Sequence, residues 1–206
     1  MSTTQLGVVN ACLAIMGEAP INSLAEQHVY KTTALAILER NDDNCQSEGW
    51  WFNTEDLTLT VNPVDHRMYP PTDTATVRPA LLSERSRYVQ RGRIMYDLKN
   101  GTDVLDDAFT LKVKLVRRIA FEDLPKSVSA YIGRKTVLDF QQDYDGDQTK
   151  TRNLQLEVYG QPGVALGLKG LAEAEHIRNV NFNFIENSQR MHRISRHVDP
   201  LRNWSN

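Results

Sequence analysis

The residues that could do chemistry are few and poorly grouped. Asp143, Asp145 and Asp147 surround Gly146, and a calcium loop needs oxygen ligands at positions 1, 3 and 5, Gly at 6 and Glu at 12. Setting Gly146 at the sixth position puts Gln141 at the first and Arg152 at the twelfth, so two ligands fail and the run reads as an acidic turn at a helix end. His28, His66, His176, His192 and His197 form no HExxH pattern, and no Gly-x-Ser-x-Gly elbow occurs. Gly160, Gly163, Gly167 and Gly170 lack the Lys-Ser/Thr ending of a phosphate loop. Glu55 with Asp56, and Glu173 with Glu175, are carboxylate pairs, yet glycoside hydrolysis needs a separation of ~5–9.5 Å across a sugar that sequence neighbours do not establish. Cys12 and Cys45 lie in apolar helical patterns and read as small buried hydrophobes rather than a disulfide or a zinc site. The sequence therefore predicts no catalytic residue, no metal and no cofactor.

Two clusters suit contact rather than catalysis. Arg85, Arg87, Arg91 and Arg93 are interleaved with Tyr88 and Tyr96. On alternating strands they would form one solvated face, suited to nucleic acid or to a protein partner. Trp50, Trp51 and Phe52 follow a long helical pattern, and a period of two sends Trp51 to the side opposite Trp50 and Phe52. One tryptophan is then core and the other an anchor.

The elements that must position these residues are legible as periodicities. Leu6, Val9, Leu13 and Met16 predict a helix over about 4–16, ended by Gly17. Tyr30, Ala34, Ile37, Leu38, Asn41 and Cys45 predict a second over 24–47, and the pair reads as an αα-hairpin. After Gly49 the period becomes two: Leu57, Leu59 and Val61 alternate with threonines, and Phe109, Leu111, Val113 and Leu115 alternate with Thr110, Lys112 and Lys114. With strands at 87–91 and 93–98, residues 50–120 read as an antiparallel β insertion. A third helix follows Pro125 to about 144, residues 145–163 read as a loop or short hairpin, and a fourth helix covers 164–179 with Leu166, Leu168, Leu171, Ala172 and Ile177 as its apolar positions. The fold class is α+β, mainly α: about four bundled helices, a β insertion and an extended C-terminal arm.

Composition bounds the rest. The 206 residues carry a formal charge of −2 with 40% hydrophobic residues, which excludes a wholly basic nucleic-acid coat and global disorder. Any nucleic-acid contact is therefore local. The longest apolar run, Ala34–Leu38, is far below the ~20 residues of a membrane span. Met1–Gln5 have neither the basic start nor the apolar stretch of a secretory signal, so folding in a cytoplasm is expected. Arg190, Arg193, Arg196 and Arg202 outweigh Asp199 to give residues 188–206 a charge of +3, leaving −5 on the remainder. The tail reads as an arm that binds a partner, or equally as a frayed terminus.

Five segments, in order, carry a resemblance: Leu13–Pro20 followed by Ile21 and Ser23-Leu24; Gly49–Glu55; Tyr88–Gly92 with Tyr96-Asp97; Phe121–Pro125; and Phe182–Asn187. On these the sequence resembles the tail tubular protein A, or head-to-tail adaptor, family of short-tailed bacteriophages. The resemblance implies a helical bundle with a β insertion as one adaptor domain over 1–187. It further implies a virion protein forming a ring of twelve copies beneath the portal protein, joined to the tail nozzle (tail tubular protein B), with tail fibres nearby and double-stranded DNA passing through. Assembly in the host cytoplasm, without a membrane, belongs to the same expectation. Residues 145–163 are longer than the family's usual connection, and the tail after Asn187 matches no motif.

An acidic body suits a conduit that must not grip DNA, because each phosphate neutralised by Lys or Arg adds salt-dependent affinity. Ring formation would be heterologous, one face of a subunit meeting a different face of its neighbour. The interface candidates are Trp50 or Trp51, whichever is exposed, and Arg85, Arg87, Arg91 and Arg93; the arm arginines are candidates for portal docking. The competing expectations are a tail-associated enzyme that degrades polysaccharide or peptidoglycan, and a free DNA-binding assembly factor.

Overall fold

The computed structural model describes residues 4–180. Its elements are those of a mixed α/β protein with two apolar cores. Helix α1 (Gln5–Ile15) begins where the Thr4 hydroxyl accepts the Gly7 N–H at 3.2 Å. It ends where Gly17, at φ 76°, lets Glu18 N–H reach back to the Leu13 carbonyl. The Asn10 side chain then makes two 2.9 Å hydrogen bonds to the backbone of Ile21, pinning the connection to α2.

Helix α2 spans Lys31–Ser47 and starts seven residues later than its periodicity suggests. Over 22–30 the side chains outcompete the helix for backbone groups. Ser23 Oγ accepts from Ala25 N–H, Glu26 Oε1 from Asn22 N–H, and Lys31 Nζ donates to the carbonyls of Leu24 and Glu26.

Strands β1 (Thr54–Asn62), β2 (Arg67–Met68), β3 (Thr74–Pro79) and β6 (Thr110–Arg117) form one antiparallel sheet in the order β2-β1-β6-β3. The short helix α3 (Leu82–Arg85) leads into the hairpin β4 (Tyr88–Arg91) and β5 (Ile94–Asp97). Gly92 sits at the first turn position of that hairpin with φ 60°, where a side chain would be strained. One face of the sheet supplies Leu59, Leu111, Val113 and Leu115 to a core closed by Tyr88 and Met95. The β insertion read from the alternation is present, although Leu57 is exposed at 39%.

Helix α4 (Lys126–Tyr144) is the hub of the second core, with Val128, Ile132, Val137 and Phe140 buried against α1, α2 and α5. Its Gly133 brings α1 close: a Cβ there would lie 2.9 Å from Val8 Cγ2. Helix α5 covers Gln148–Tyr159, where a loop or short hairpin was expected. Asp147 caps it through the N–H groups of Thr149 and Lys150, and Leu154 and Val158 are buried one turn apart while Leu156 stays exposed. A hairpin does exist, over β7 (Gly160–Gln161) and β8 (Ala165–Leu166).

The last described helix, α6, runs over 168–180, not from 164, so Leu166 lies on the hairpin and is 67% exposed. Leu171 and Ile177 are exposed too, and Ala172 alone of these positions is fully buried. Among the described residues five long helices make the helical layer, where the sequence predicts about four. No helix among the described residues is long and apolar enough to cross a membrane.

A polar joint links the two cores. Gln46, 1% exposed, donates to the Ile119 carbonyl and accepts its N–H, both at 2.8 Å. Asn53, equally buried, donates to the carbonyls of Gln46 and Arg117 and accepts the Trp50 N–H at 2.7 Å. Asp42 accepts from Gln46 Nε2, and burial pushes its carboxyl above the usual range.

Candidate assembly surfaces

Residues 51–53 form a turn rather than strand, so a period of two does not sort the aromatics. Trp50 is core, 4% exposed, with its indole N–H on the Cys45 carbonyl at 2.7 Å. Trp51 is half-buried, and its backbone N–H donates to His176 Nδ1 on α6 at 3.2 Å. Both indoles meet the His176 ring, at 5.5 and 6.0 Å between centroids. Trp51, His176 and Val180 line an open groove of about 340 Å³ that continues onto Lys114 and Arg78 of the sheet. Of these two tryptophans Trp51 is the more exposed.

The four arginines do not make a single alternating row. Arg85 lies on α3 and donates to the Pro79 carbonyl at 3.1 Å. Arg87, just before β4, grips the buried Asp97 through Nε and Nη2 at 2.8–3.2 Å. That guanidinium, with the N–H groups of Lys99 and Asn100, holds the Asp97 carboxyl below its ordinary range. Arg87 is therefore committed within the fold. Arg91 stacks over the Tyr96 ring at 3.8 Å, and Arg93 projects from the hairpin turn. Arg190, Arg193, Arg196 and Arg202 lie outside the described residues.

The chemical candidates resolve into structural roles. Asp145 pairs with Lys150 at 2.7 Å and Asp147 caps α5, so the acidic turn serves the start of a helix. Cys12 and Cys45 are free and buried, with burial pushing each thiol up to about 12. Such thiols stay protonated at neutral pH and are poor nucleophiles. Glu55 faces Arg117 at 3.7 Å and Glu173 faces Lys169 at 3.7 Å. Among the described residues, no three His, Cys, Asp or Glu side chains are grouped to hold a metal.

Two features go beyond what the sequence predicts. Gln46 and Asn53 join segments up to 73 residues apart, a separation that leaves no local signal. A run of exposed apolar side chains, Tyr159 at 50%, Val164 at 74% and Leu166 at 67%, rims the β7–β8 hairpin. The helical period predicted over 164–179 takes Leu166 into the helix instead.

This architecture of helical layer, polar joint and β insertion coincides with a match in sequence. The sequence model of the tail tubular protein family fits residues 6–158, from α1 to the end of α5. The chain belongs to the tail tubular protein family. It is also 26% identical over 180 residues to the tail tubular protein A of Klebsiella phage KP34, covering 86% of this chain and 89% of that one. Family membership makes the protein a structural component of a phage virion tail.

Proposed function

We propose that this tail component is the head-to-tail adaptor. In this reading twelve copies close into a ring that joins the portal protein to the tail nozzle and gives passage to double-stranded DNA during ejection, with no catalytic step. The observation that carries the reading is the family match across residues 6–158, which holds the sheet core and every buried residue of the helical core except Ala172. The surface supports it: Tyr159, Val164 and Leu166 expose a cluster of large apolar side chains, the kind of patch that marks a protein contact. The groove beside Trp51 is a second, chemically different surface, as head-to-tail contacts in a ring require. The arm arginines Arg190, Arg193, Arg196 and Arg202 are assigned to the portal.

The test is native mass spectrometry of the full chain, alone and mixed with the portal protein of the same genome. A discrete species of twelve copies supports the reading, and its appearance only with portal shows templated assembly. A monomer that ignores the portal overturns it. Removing residues 188–206 should abolish portal binding.

A further inference from the structure

The sequence holds one Asn-Gly dipeptide, Asn100-Gly101, in the turn that leads from β5 back to Thr102. Asparagine before glycine is prone to spontaneous chemistry, because glycine puts no side chain in the way of its own backbone nitrogen. The reaction needs only water. The Gly101 nitrogen gives up its proton and bonds to Asn100 Cγ, the Cγ–Nδ2 bond breaks, and ammonia leaves. Water then opens the cyclic imide at either carbonyl, leaving aspartate or isoaspartate at position 100. Asn100 and Gly101 are both exposed, so water reaches the dipeptide freely.

The fold opposes the first step. Gly101 N–H donates to the Asp97 carbonyl at 2.9 Å, so the attacking nitrogen keeps its proton in a hydrogen bond. The Asn100 side chain is tied as well: Nδ2 donates to Asp97 Oδ2 at 3.0 Å, while the Asn100 N–H donates to Asp97 Oδ1 at 3.2 Å. Asp97 N–H in turn donates to the Thr102 carbonyl at 2.8 Å and closes the turn around the dipeptide. Bringing Cγ onto the Gly101 nitrogen sacrifices both the Nδ2 and the Gly101 hydrogen bonds. Asp97 holds this geometry because it is itself fixed. It is 1% exposed, Arg87 grips both of its oxygens, and the next residue, Leu98, donates its N–H to the Arg87 carbonyl at 2.8 Å. The restraint on an exposed dipeptide therefore comes from a buried carboxylate.

We infer that Asn100-Gly101 is a spontaneous deamidation site that the buried Asp97 holds closed, and that its modification is one-way. The product gives the direction. Aspartate at position 100 sets an acceptor oxygen where Nδ2 donated, so two carboxylates face each other where a 3.0 Å hydrogen bond stood, with Arg87 already engaged. Isoaspartate adds a methylene to the backbone and spoils the spacing between Asp97 and Thr102. Either product removes the bonds that held the turn, and the β4–β5 hairpin loses its anchored end. A copy built into a virion tail is not replaced, so this closure preserves the assembled particle.

The experiment ages the full-length protein in mildly alkaline buffer, native and unfolded in urea, and follows residue 100 by peptide mapping. The readouts are the mass gained as the amide becomes an acid and the appearance of isoaspartate. In the native protein the reaction runs only through local opening, so it should be at least about tenfold slower than in the unfolded chain. Equal rates overturn the inference. D97A, checked for its fold by circular dichroism, should deamidate at Asn100 faster than wild type; a rate as slow as that of wild type removes Asp97 as the cause and overturns the assignment. The comparison between native and urea-unfolded wild type decides the closure whether or not D97A folds. N100D carries the product from the start and should show a lower urea midpoint than wild type at neutral pH. An unchanged midpoint would mean that the turn accommodates the product, and the one-way character would fall.

Discussion

At the scale of single residues, stability rests on polar groups buried with their partners. Gln46 and Asn53 together satisfy five backbone groups at the joint between the cores. Replacing Asn53 with Ala strands the Trp50 N–H and removes a donor from the carbonyls of Arg117 and Gln46, of which Gln46 keeps the Gly49 N–H, at about 1–3 kcal/mol for each group left unpaired. N53A is therefore expected to lower the urea midpoint sharply, whereas substitution of the exposed Arg93 should leave it unmoved. Asp97 gives the pH counterpart. Arg87 lowers its folded pKa, so its contribution is fully present above the unfolded value of about 3.9 and is lost as pH falls through the folded value. D97N should be less stable than wild type at pH 7, and the gap between their urea midpoints should close as the pH drops below about 4. A constant gap down to acid would show that packing, not charge, holds Asp97. The two tryptophans separate in the same way. Trp50→Ala empties a core site at about 3–5 kcal/mol, while the half-buried Trp51 can be truncated with the fold retained and self-association weakened.

At the scale of elements, the decisive local geometry is the glycine pair at the β7–β8 hairpin. A Cβ on Gly160 would lie 2.3 Å from the Ala165 carbonyl oxygen, and one on Gly167 would lie 2.2 Å from Gly160 N. Backbone cannot yield as a side chain can, so Gly160→Ala should open the hairpin. New proteolytic cuts between α5 and α6 are expected, with the far-ultraviolet circular dichroism of the helices retained; an uncut hairpin would show that the close approach is dispensable. This hairpin also shows where sequence reading stops. Leu154, Leu156 and Val158 satisfy a period of two and, through Leu154 and Val158, a helical step of four; the Asp147 cap decides between them. The β6 alternation was unambiguous because Leu111, Val113 and Leu115 all enter one core. The hydrophobic period starts α2 too early because Ser23, Glu26 and Lys31 act on backbone groups that it does not register. Of the candidate contacts, the aromatic run was visible, but which tryptophan faces out depended on a turn whose partner, His176, lies 125 residues away.

At the scale of the whole molecule, ring closure demands two different faces on each subunit, and that requirement can be tested without seeing the ring. On the adaptor reading, the groove beside Trp51 of one copy and the apolar hairpin around Leu166 of the next are the two halves of a junction. A Trp51→Glu variant spoils the first half and keeps the second; a Leu166→Asp variant does the reverse. Each alone should be monomeric in native mass measurements, since every junction of a homogeneous preparation contains the damaged half. Mixed, the two variants still own one intact junction between them, formed by the hairpin of the Trp51→Glu chain and the groove of the Leu166→Asp chain. The mixture should give a heterodimer and nothing larger, because the outer faces of that pair are both spoiled. Two monomers that stay apart would place Trp51 and Leu166 on the same half of the junction. Rings formed by either variant alone would remove its surface from the junction altogether.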